Sequence, residues 1–382
     1  MTEIQTPDLA APRWWMPVVA LGTGAGCIGV LQPILLGLLL GAGKLSLTEM
    51  GVAATAEAAG MTLATTLAAF FLPLRKLRRL AGGALVLLLI ANAGTIMASG
   101  HAIIALRLLG GMGSGILIWI LMGMFTRSPT PARIFAIYIT TQSILGLFLS
   151  QAMTAVIAPM LGFSGGYVVL CAMNVLFLVA VFLMPDSMGG RDTGILGLPP
   201  LLPGLAIVAI SCYLAGILSV WVYILPLLKQ LGYPAADAAH AVPVALAGQI
   251  VGGFAATFFA PRISPLRAWT FSILMVGATL VALAISRGSI AMFAAVGAIG
   301  FLWLFVPPFH MPVMLGLDPS GRGPMLVGPA QLSGTSLGPL IASAVVSDQS
   351  VRPVIGVALA FMLASLVLLM LATRVRAAPA AA

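Results

Sequence analysis

Long apolar stretches alternate with short polar joints along the whole of this chain. A helix needs ~20 predominantly apolar residues to cross a bilayer. On that scale the pattern predicts twelve spans, over residues 14–40, 47–72, 80–99, 102–126, 133–159, 164–185, 202–228, 235–260, 267–286, 289–315, 323–346 and 353–374. Residues 134–185 carry no charge and are too long for one span, so a turn is expected within Pro159–Gly166, where proline and glycine cluster. The first run, Trp14–Gly43, exceeds the apolar length of a secretory signal and is expected to persist as span 1.

Composition narrows the class. Hydrophobic residues make up 61% of the chain and charged residues only 7%, against about 25% charge in soluble domains. The formal net charge of +9 does not mark a nucleic-acid surface, because the basic residues sit in short joints between apolar runs. With the N-terminus inside, Arg13, Arg75, Lys76, Arg78, Arg79, Arg127, Arg133, Arg191, Arg262, Arg267, Arg322, Arg374 and Arg376 face the cytoplasm. Only Lys44, Lys229, Arg287 and Arg352 face out. This asymmetry places both termini in the cytoplasm of a multi-pass protein of the cell (inner) membrane. Cys27, Cys171 and Cys212 lie singly in apolar runs without the spacing of a metal site or disulfide framework. No cofactor and no metal are expected.

The chain repeats itself. A-G-M-T-L-A-T-T-L-A-A-F-F-L-P from Ala59 aligns with A-G-Q-I-V-G-G-F-A-A-T-F-F-A-P from Ala247, and the same offset lays Glu49 on Asp237, Arg79 on Arg267 and Gly100 on Gly288. One further residue of offset pairs Arg133 with Arg322 and Gln142 with Gln331. The expected domains are a six-helix bundle over 1–190, a cytoplasmic linker over 191–200 and a second bundle over 201–382. Two parallel six-helix repeats form a substrate site between them near the midplane, reached alternately from each side.

Two charges interrupt the apolar runs. Arg107 lies inside span 4, followed by Gly110, Gly111, Gly113 and Gly115, and Glu57 lies about ten residues below the outer end of span 2. An intramembrane ion is a functional candidate by default, and small residues let a neighbouring helix backbone approach closely. Burial raises a carboxyl pKa while a nearby arginine lowers it, so a carboxyl under both influences can load and release a proton. Two readings stand for Glu57 and Arg107: proton coupling, or an ion pair that only ties spans 2 and 4 together. Ser46-Leu-Thr-Glu49 has capping-box spacing, and Glu49 and Asp237 are read as helix-end residues.

Uncharged polar groups with no partner in lipid are expected to face inward. Gln32, Gln142, Gln249 and Gln331 are therefore candidates for a substrate cavity, with helix packing as the alternative. Trp119, Tyr138, Tyr223 and Trp303 are candidates for its aromatic walls, since flat rings offer apolar contact with a polar handle; ring anchoring at the interface is the alternative. In span 10, Pro307, Pro308 and Pro312 bracket His310, which predicts a hinge because proline removes backbone donors. His310 can titrate near neutrality, but near the cytoplasmic end a solvated position is equally consistent. Gly338-Pro339 predicts a second bend, in span 11.

These features resemble the major facilitator superfamily of secondary transporters, in its prokaryotic twelve-helix form. Proton-coupled members carry R-x-x-Q-G-x-G in helix 4, and here Arg107-Leu-Leu-Gly110-Gly111-Met-Gly113 matches it with Gly110 for the glutamine. The family's G-x-L-A-D-R-x-G-R-R loop falls on Phe70–Arg79. Arg75, Arg78 and Arg79 fit its basic positions, while its glycines and aspartate are replaced by Phe70, Leu77 and Leu74. The helix 5 glycine-proline signature of drug antiporters is missing from 146–158. The resemblance implies an all-α polytopic membrane protein with twelve transmembrane helices in two pseudo-symmetric six-helix bundles. It also implies secondary transport of a small organic solute by alternating access, coupled to protons. The expected partners are the solute, protons and the bilayer, with the chain acting as a monomer.

Two other classes compete with transport. An intramembrane enzyme finds little support, because Met112 and Ile116 break the serine-nucleophile frames around Ser114 and no H-E-x-x-H or cysteine cluster is present. A membrane binding or sensory protein that does not transport stays open. With Glu57 and Arg107 as the charges within the spans, a polyanionic substrate is disfavoured and a neutral, amphipathic or monovalent one expected.

Overall fold

Unbroken apolar runs without interior charges leave the backbone one way to satisfy itself in lipid, which is helix. A computed structural model describes residues 12–125, 131–188, 201–259, 262–286, 288–318, 323 and 326–374. The expected linker 191–200 lies outside these, as do Arg127, Arg191, Arg287, Arg322 and Arg376 of the charge asymmetry. The helices are α1 (Pro12–Gly41), α2 (Leu47–Phe71), α3 (Leu77–Met97), α4 (His101–Phe125), α5 (Pro131–Ala152), a π-turn (Met153–Ile157), α6 (Ala158–Leu183), α7 (Leu201–Val222), α8 (Ile224–Gln230), α9 (Ala235–Ala239), α10 (Ala241–Phe259), α11 (Pro265–Ile285), α12 (Ser289–Phe305), α13 (Pro307–Leu317), α14 (Val327–Val345) and α15 (Pro353–Arg374).

Eight helical stretches among the described residues are long and apolar enough to cross a membrane, or nine if α12 and α13 are one bent span. One of the eight, Ile137–Leu183, is 47 residues long and exceeds a single ~20-residue crossing. It breaks at Gly162, where φ 61° and ψ −150° suit glycine alone. That break falls inside the predicted turn. α2 is less apolar than these stretches because it carries Glu49, Glu57 and several threonines, and α14 because serines, a threonine and glycines stand where larger apolar residues would.

Three predicted spans are helix pairs instead of continuous helices. Span 7 breaks at Tyr223 between α7 and α8, span 8 at His240 between α9 and α10, and span 10 at Val306 between α12 and α13. The last pair is bent by 41°, as expected where Pro307 and Pro308 withdraw two consecutive backbone donors. The predicted capping box is present: the Ser46 N–H donates to Glu49 Oε2 at 2.9 Å and the Glu49 N–H to Ser46 Oγ at 3.2 Å.

The chain divides into two compact units, Met1–Leu45 with Ala56–Thr193, and Ser46–Thr55 with Gly194–Ala382. The first turns of α2 thus group with the second unit, where the Leu47 N–H donates to Asp348 Oδ1 at 3.2 Å and Thr48 Oγ1 to the Val346 carbonyl at 3.3 Å. In the first unit, Val18, Leu21, Leu85, Leu117, Leu121, Phe125 and Met184 form part of one buried apolar cluster.

Candidate functional site

The glycines of α4 decide what stands beside Arg107. A Cβ built on Gly111 would overlap the Glu57 carbonyl, and one on Gly115 would overlap that of Met61. These two glycines, four residues apart on one helix face, bring the backbone of α2 against α4. Gly110 and Gly113 serve a different neighbour: their Cβ positions would lie 3.3 Å from Ala91 Cβ and 2.8 Å from the Ala84 carbonyl of α3. With Arg107 one turn before Gly111, the Glu57 side chain of α2 and the polar face of α3 meet at the guanidinium.

Arg107 and Glu57 form an ion pair, with Nη1 3.5 Å from Oε1, and the residues are 1% and 3% exposed. Arg107 Nη2 donates to Thr95 Oγ1 at 2.8 Å, Asn92 Oδ1 at 3.1 Å and the Ala91 carbonyl at 3.2 Å. Thr95 Oγ1 is itself anchored by donating to the Ala91 carbonyl at 2.7 Å. Gln32 Nε2 of α1 donates to Glu57 Oε2 at 3.3 Å. The Tyr167 ring of α6 lies under the guanidinium, 5.1 Å from ring centroid to Cζ, a cation–π contact that strengthens when desolvated. Five helices therefore supply one buried polar cluster. Asn92, Thr95 and Tyr167 escaped the sequence reading, although Asn92 and Thr95 are polar residues three apart on one face of an otherwise apolar helix.

Valence within the cluster is incomplete. Arg107 Nε and the Tyr167 hydroxyl are buried without a hydrogen-bond partner, and Glu57 Oε1 has only the ion pair. The 3.5 Å separation is looser than the about 2.7–2.9 Å of a charge-assisted hydrogen bond.

The second unit repeats the crossing without the charges. A Cβ on Gly300 of α12 would overlap the Ala245 carbonyl of α10, as Gly111 does at Glu57, and Gly248 overlaps Gly297 as Gly60 overlaps Leu108. These matched contacts carry Arg107 onto Val296, and the offset of the aligned repeat carries Asn92 and Thr95 onto Leu280 and Leu283. All three counterparts are buried and apolar.

A different polar centre lies elsewhere in this unit. His310 of α13 is fully buried, which removes the solvated alternative. Its Nδ1 lies 3.1 Å from Gln331 Nε2 of α14. His310 Nε2 is buried without a hydrogen-bond partner. The Trp269 and Tyr213 rings pack edge-on to it at 4.5 and 6.0 Å between centroids. The structure thus joins a predicted gate residue and a predicted cavity residue in one contact.

The remaining candidates are dispersed within their units. Trp119 and Tyr138 belong to the apolar cluster of the first unit, with Tyr138 edge-on to Phe125 at 6.0 Å. Gln142 Nε2 donates to the Gly26 carbonyl at 3.3 Å. Tyr223 is buried with its hydroxyl against Gly51. Gln249 is buried with Nε2 unpartnered, and Trp303 packs edge-on to Trp221 at 5.2 Å. Gly338 lets α14 approach the Ala215 carbonyl of α7, and Pro339 follows it inside the helix. Of the loop arginines, Arg75 and Arg79 are exposed. Arg78 holds the end of α6, with Nε donating to the Met184 carbonyl at 2.8 Å and its backbone N–H to Asp186 Oδ1 at 3.0 Å.

No family model and no curated protein matches this sequence. Solved structures do. A mutant of the nucleoside transporter NupG superposes with a TM-score of 0.71 at 11% identity, covering 94% of this chain and 98% of that one. A bacterial homologue of the human lysosomal transporter Spinster, in an inward-facing and occupied conformation, superposes with a TM-score of 0.66 at 14% identity, covering 96% of each chain. The chain therefore has the all-helical fold of these transporters, the major facilitator fold.

Proposed function

We propose that this protein is a secondary active transporter that moves a small organic solute across the membrane by alternating access, coupled to protons through Glu57 and Arg107. The observation that carries the coupling is the sealed ion pair, 3.5 Å apart and joined by Gln32, Asn92, Thr95 and Tyr167. A structural tie alone does not account for it well. Removing two ions from water costs several kcal/mol each, and apolar residues of similar volume often hold a fold together as well or better. A carboxyl beside a fixed cation has a use that apolar packing lacks, since its proton can be exchanged as the site opens to either side.

Twelve crossings follow if α12 with α13, α7 with α8 and α9 with α10 each count as one, the segment around Gly162 counts as two, and α2 and α14 are included. The basic asymmetry supports an inner-membrane protein with both termini in the cytoplasm, and the proposed transporter works as a monomer. Gln32, Gln142, Gln249 and Gln331 with Trp119, Tyr138, Tyr223 and Trp303 are the candidates for solute contact. The bend at Pro307 and Pro308 and the Gly338-Pro339 step are the candidate gates.

Reconstituted vesicles test this reading. Glu57→Gln is expected to leave the protein folded and able to exchange solute down its gradient, while an imposed pH gradient no longer drives accumulation. Accumulation at the wild-type rate in that variant would remove Glu57 from coupling. Arg107→Lys is also expected to be impaired, because lysine lacks the planar fork that spans Asn92, Thr95 and Glu57.

A further inference from the structure

We infer that the transported solute is a monovalent organic anion, one carboxylate or its equivalent, that binds with one proton and takes the place of Glu57 as the partner of Arg107. The inference rests on the coupling role of Glu57 and adds the substrate class and the direction of coupling.

The argument is a charge count at a sealed site. With Glu57 ionised, the pair sums to zero. Arg107 does not depend on Glu57 for its position, because Nη2 is held by three uncharged acceptors, Thr95 Oγ1, Asn92 Oδ1 and the Ala91 carbonyl, and the Tyr167 ring covers its face. When Glu57 takes a proton the arginine therefore stays, and the site carries one uncompensated positive charge. An unpaired buried ion is strongly unfavourable. A cation adds to that charge and a neutral solute leaves it unchanged. An anion with a single charge cancels it, so proton and anion each raise the affinity for the other. The empty site and the site loaded with proton and anion are then the two neutral states of the cycle.

Two further observations agree. Arg107 Nε is buried without a partner and Nη1 holds Glu57 only at 3.5 Å, so the guanidinium keeps donors for an incoming carboxylate, the group its fork matches. Among the residues whose side chains are described, Arg107 is the one buried Lys or Arg, which limits the anion to a single charge.

The experiment uses the full chain in lipid nanodiscs at acidic and neutral pH. The probes are gluconate, pantothenate and 4-hydroxybenzoate, with the amide of each as the uncharged control and an amine of similar size as the cationic one. In the wild type, at least one carboxylate is expected to raise thermal stability at acidic pH and to lose 10-fold or more in affinity at neutral pH. In Glu57→Gln, which carries the charge of the protonated state, that carboxylate is expected to bind equally at both. A dye measurement on the wild type, which needs no variant, should find one proton taken up per anion bound. The inference is overturned if no carboxylate stabilises either protein, if amides or amines do so equally, or if binding releases protons. A neutral or cationic probe whose binding still depends on pH and on Glu57 would overturn the anion class while leaving the coupling role intact. A carboxylate indifferent to both pH and Glu57→Gln would overturn the coupling role itself.

Discussion

The crossing of α2 with α4 and the crossing of α10 with α12 share a backbone and differ in almost everything attached to it. Gly111 seats α4 on the Glu57 carbonyl, and Gly300 seats α12 on the Ala245 carbonyl. In the first unit Glu57, Arg107, Asn92 and Thr95 meet beside this contact; in the second the repeat-matched positions are Ala245, Val296, Leu280 and Leu283, all buried and apolar. Close helix packing therefore needs the glycines and not the charges. Since an apolar version of the same joint is built in the same chain, the charged version invites a chemical explanation more than a mechanical one.

Single substitutions can break this comparison at matched positions. The largest effect is expected from Arg107→Ala, which leaves Glu57 buried without its cation, a change worth about 3–5 kcal/mol where buried pairs are broken. Val296→Ala, its counterpart, should cost about 1 kcal/mol, within the common range for point substitutions. Equilibrium unfolding in mixed micelles measures both, and equal losses would mean that the pair contributes no more than packing. Next come Gly111→Ala and Gly300→Ala. Each pushes a methyl into a facing carbonyl, and overpacking of this kind costs about 1–3 kcal/mol. Similar losses at the two sites support a common scaffold, and a large disparity breaks it. The smallest effect is expected at the repeat-related glutamines. Gln331→Leu removes the contact with His310 and Gln142→Leu the bond to the Gly26 carbonyl, at about 0.5–1.5 kcal/mol each. Transport separates them, because Gln331→Leu frees a ring beside the bend at Val306 and should slow turnover more than Gln142→Leu.

Much of the first unit's chemistry was legible in the order of residues, and the reasons are particular. Glu57 and Arg107 stand out because ions are rare in apolar helices, and the glycines after Arg107 announce a close neighbour. Which helix that neighbour is could not be read, since Gly111 and Gly115 face α2 while Gly110 and Gly113 face α3. Asn92 and Thr95 were readable as a polar pair on one face and drew no attention, because small polar residues are common in packed helices. Tyr167 carries no local signal at all; its role comes from lying under a cation contributed by α4. His310 and Gln331 were each suspect separately, and a separation of 21 residues, from one predicted span to the next, gave no hint that they touch.

Length and apolar runs determine from sequence alone that this is a helical membrane protein, and the internal repeat predicts two related halves. Those properties are local, or sums over local properties, since each span satisfies its own backbone and needs no knowledge of its neighbours. Tertiary structure decided which polar groups meet. Partner choice in lipid depends on how closely two backbones approach and at what rotation, and that is set by glycine contacts between helices distant in the chain. The meeting of Glu57, Arg107, Asn92, Thr95 and Tyr167 is a consequence of that packing.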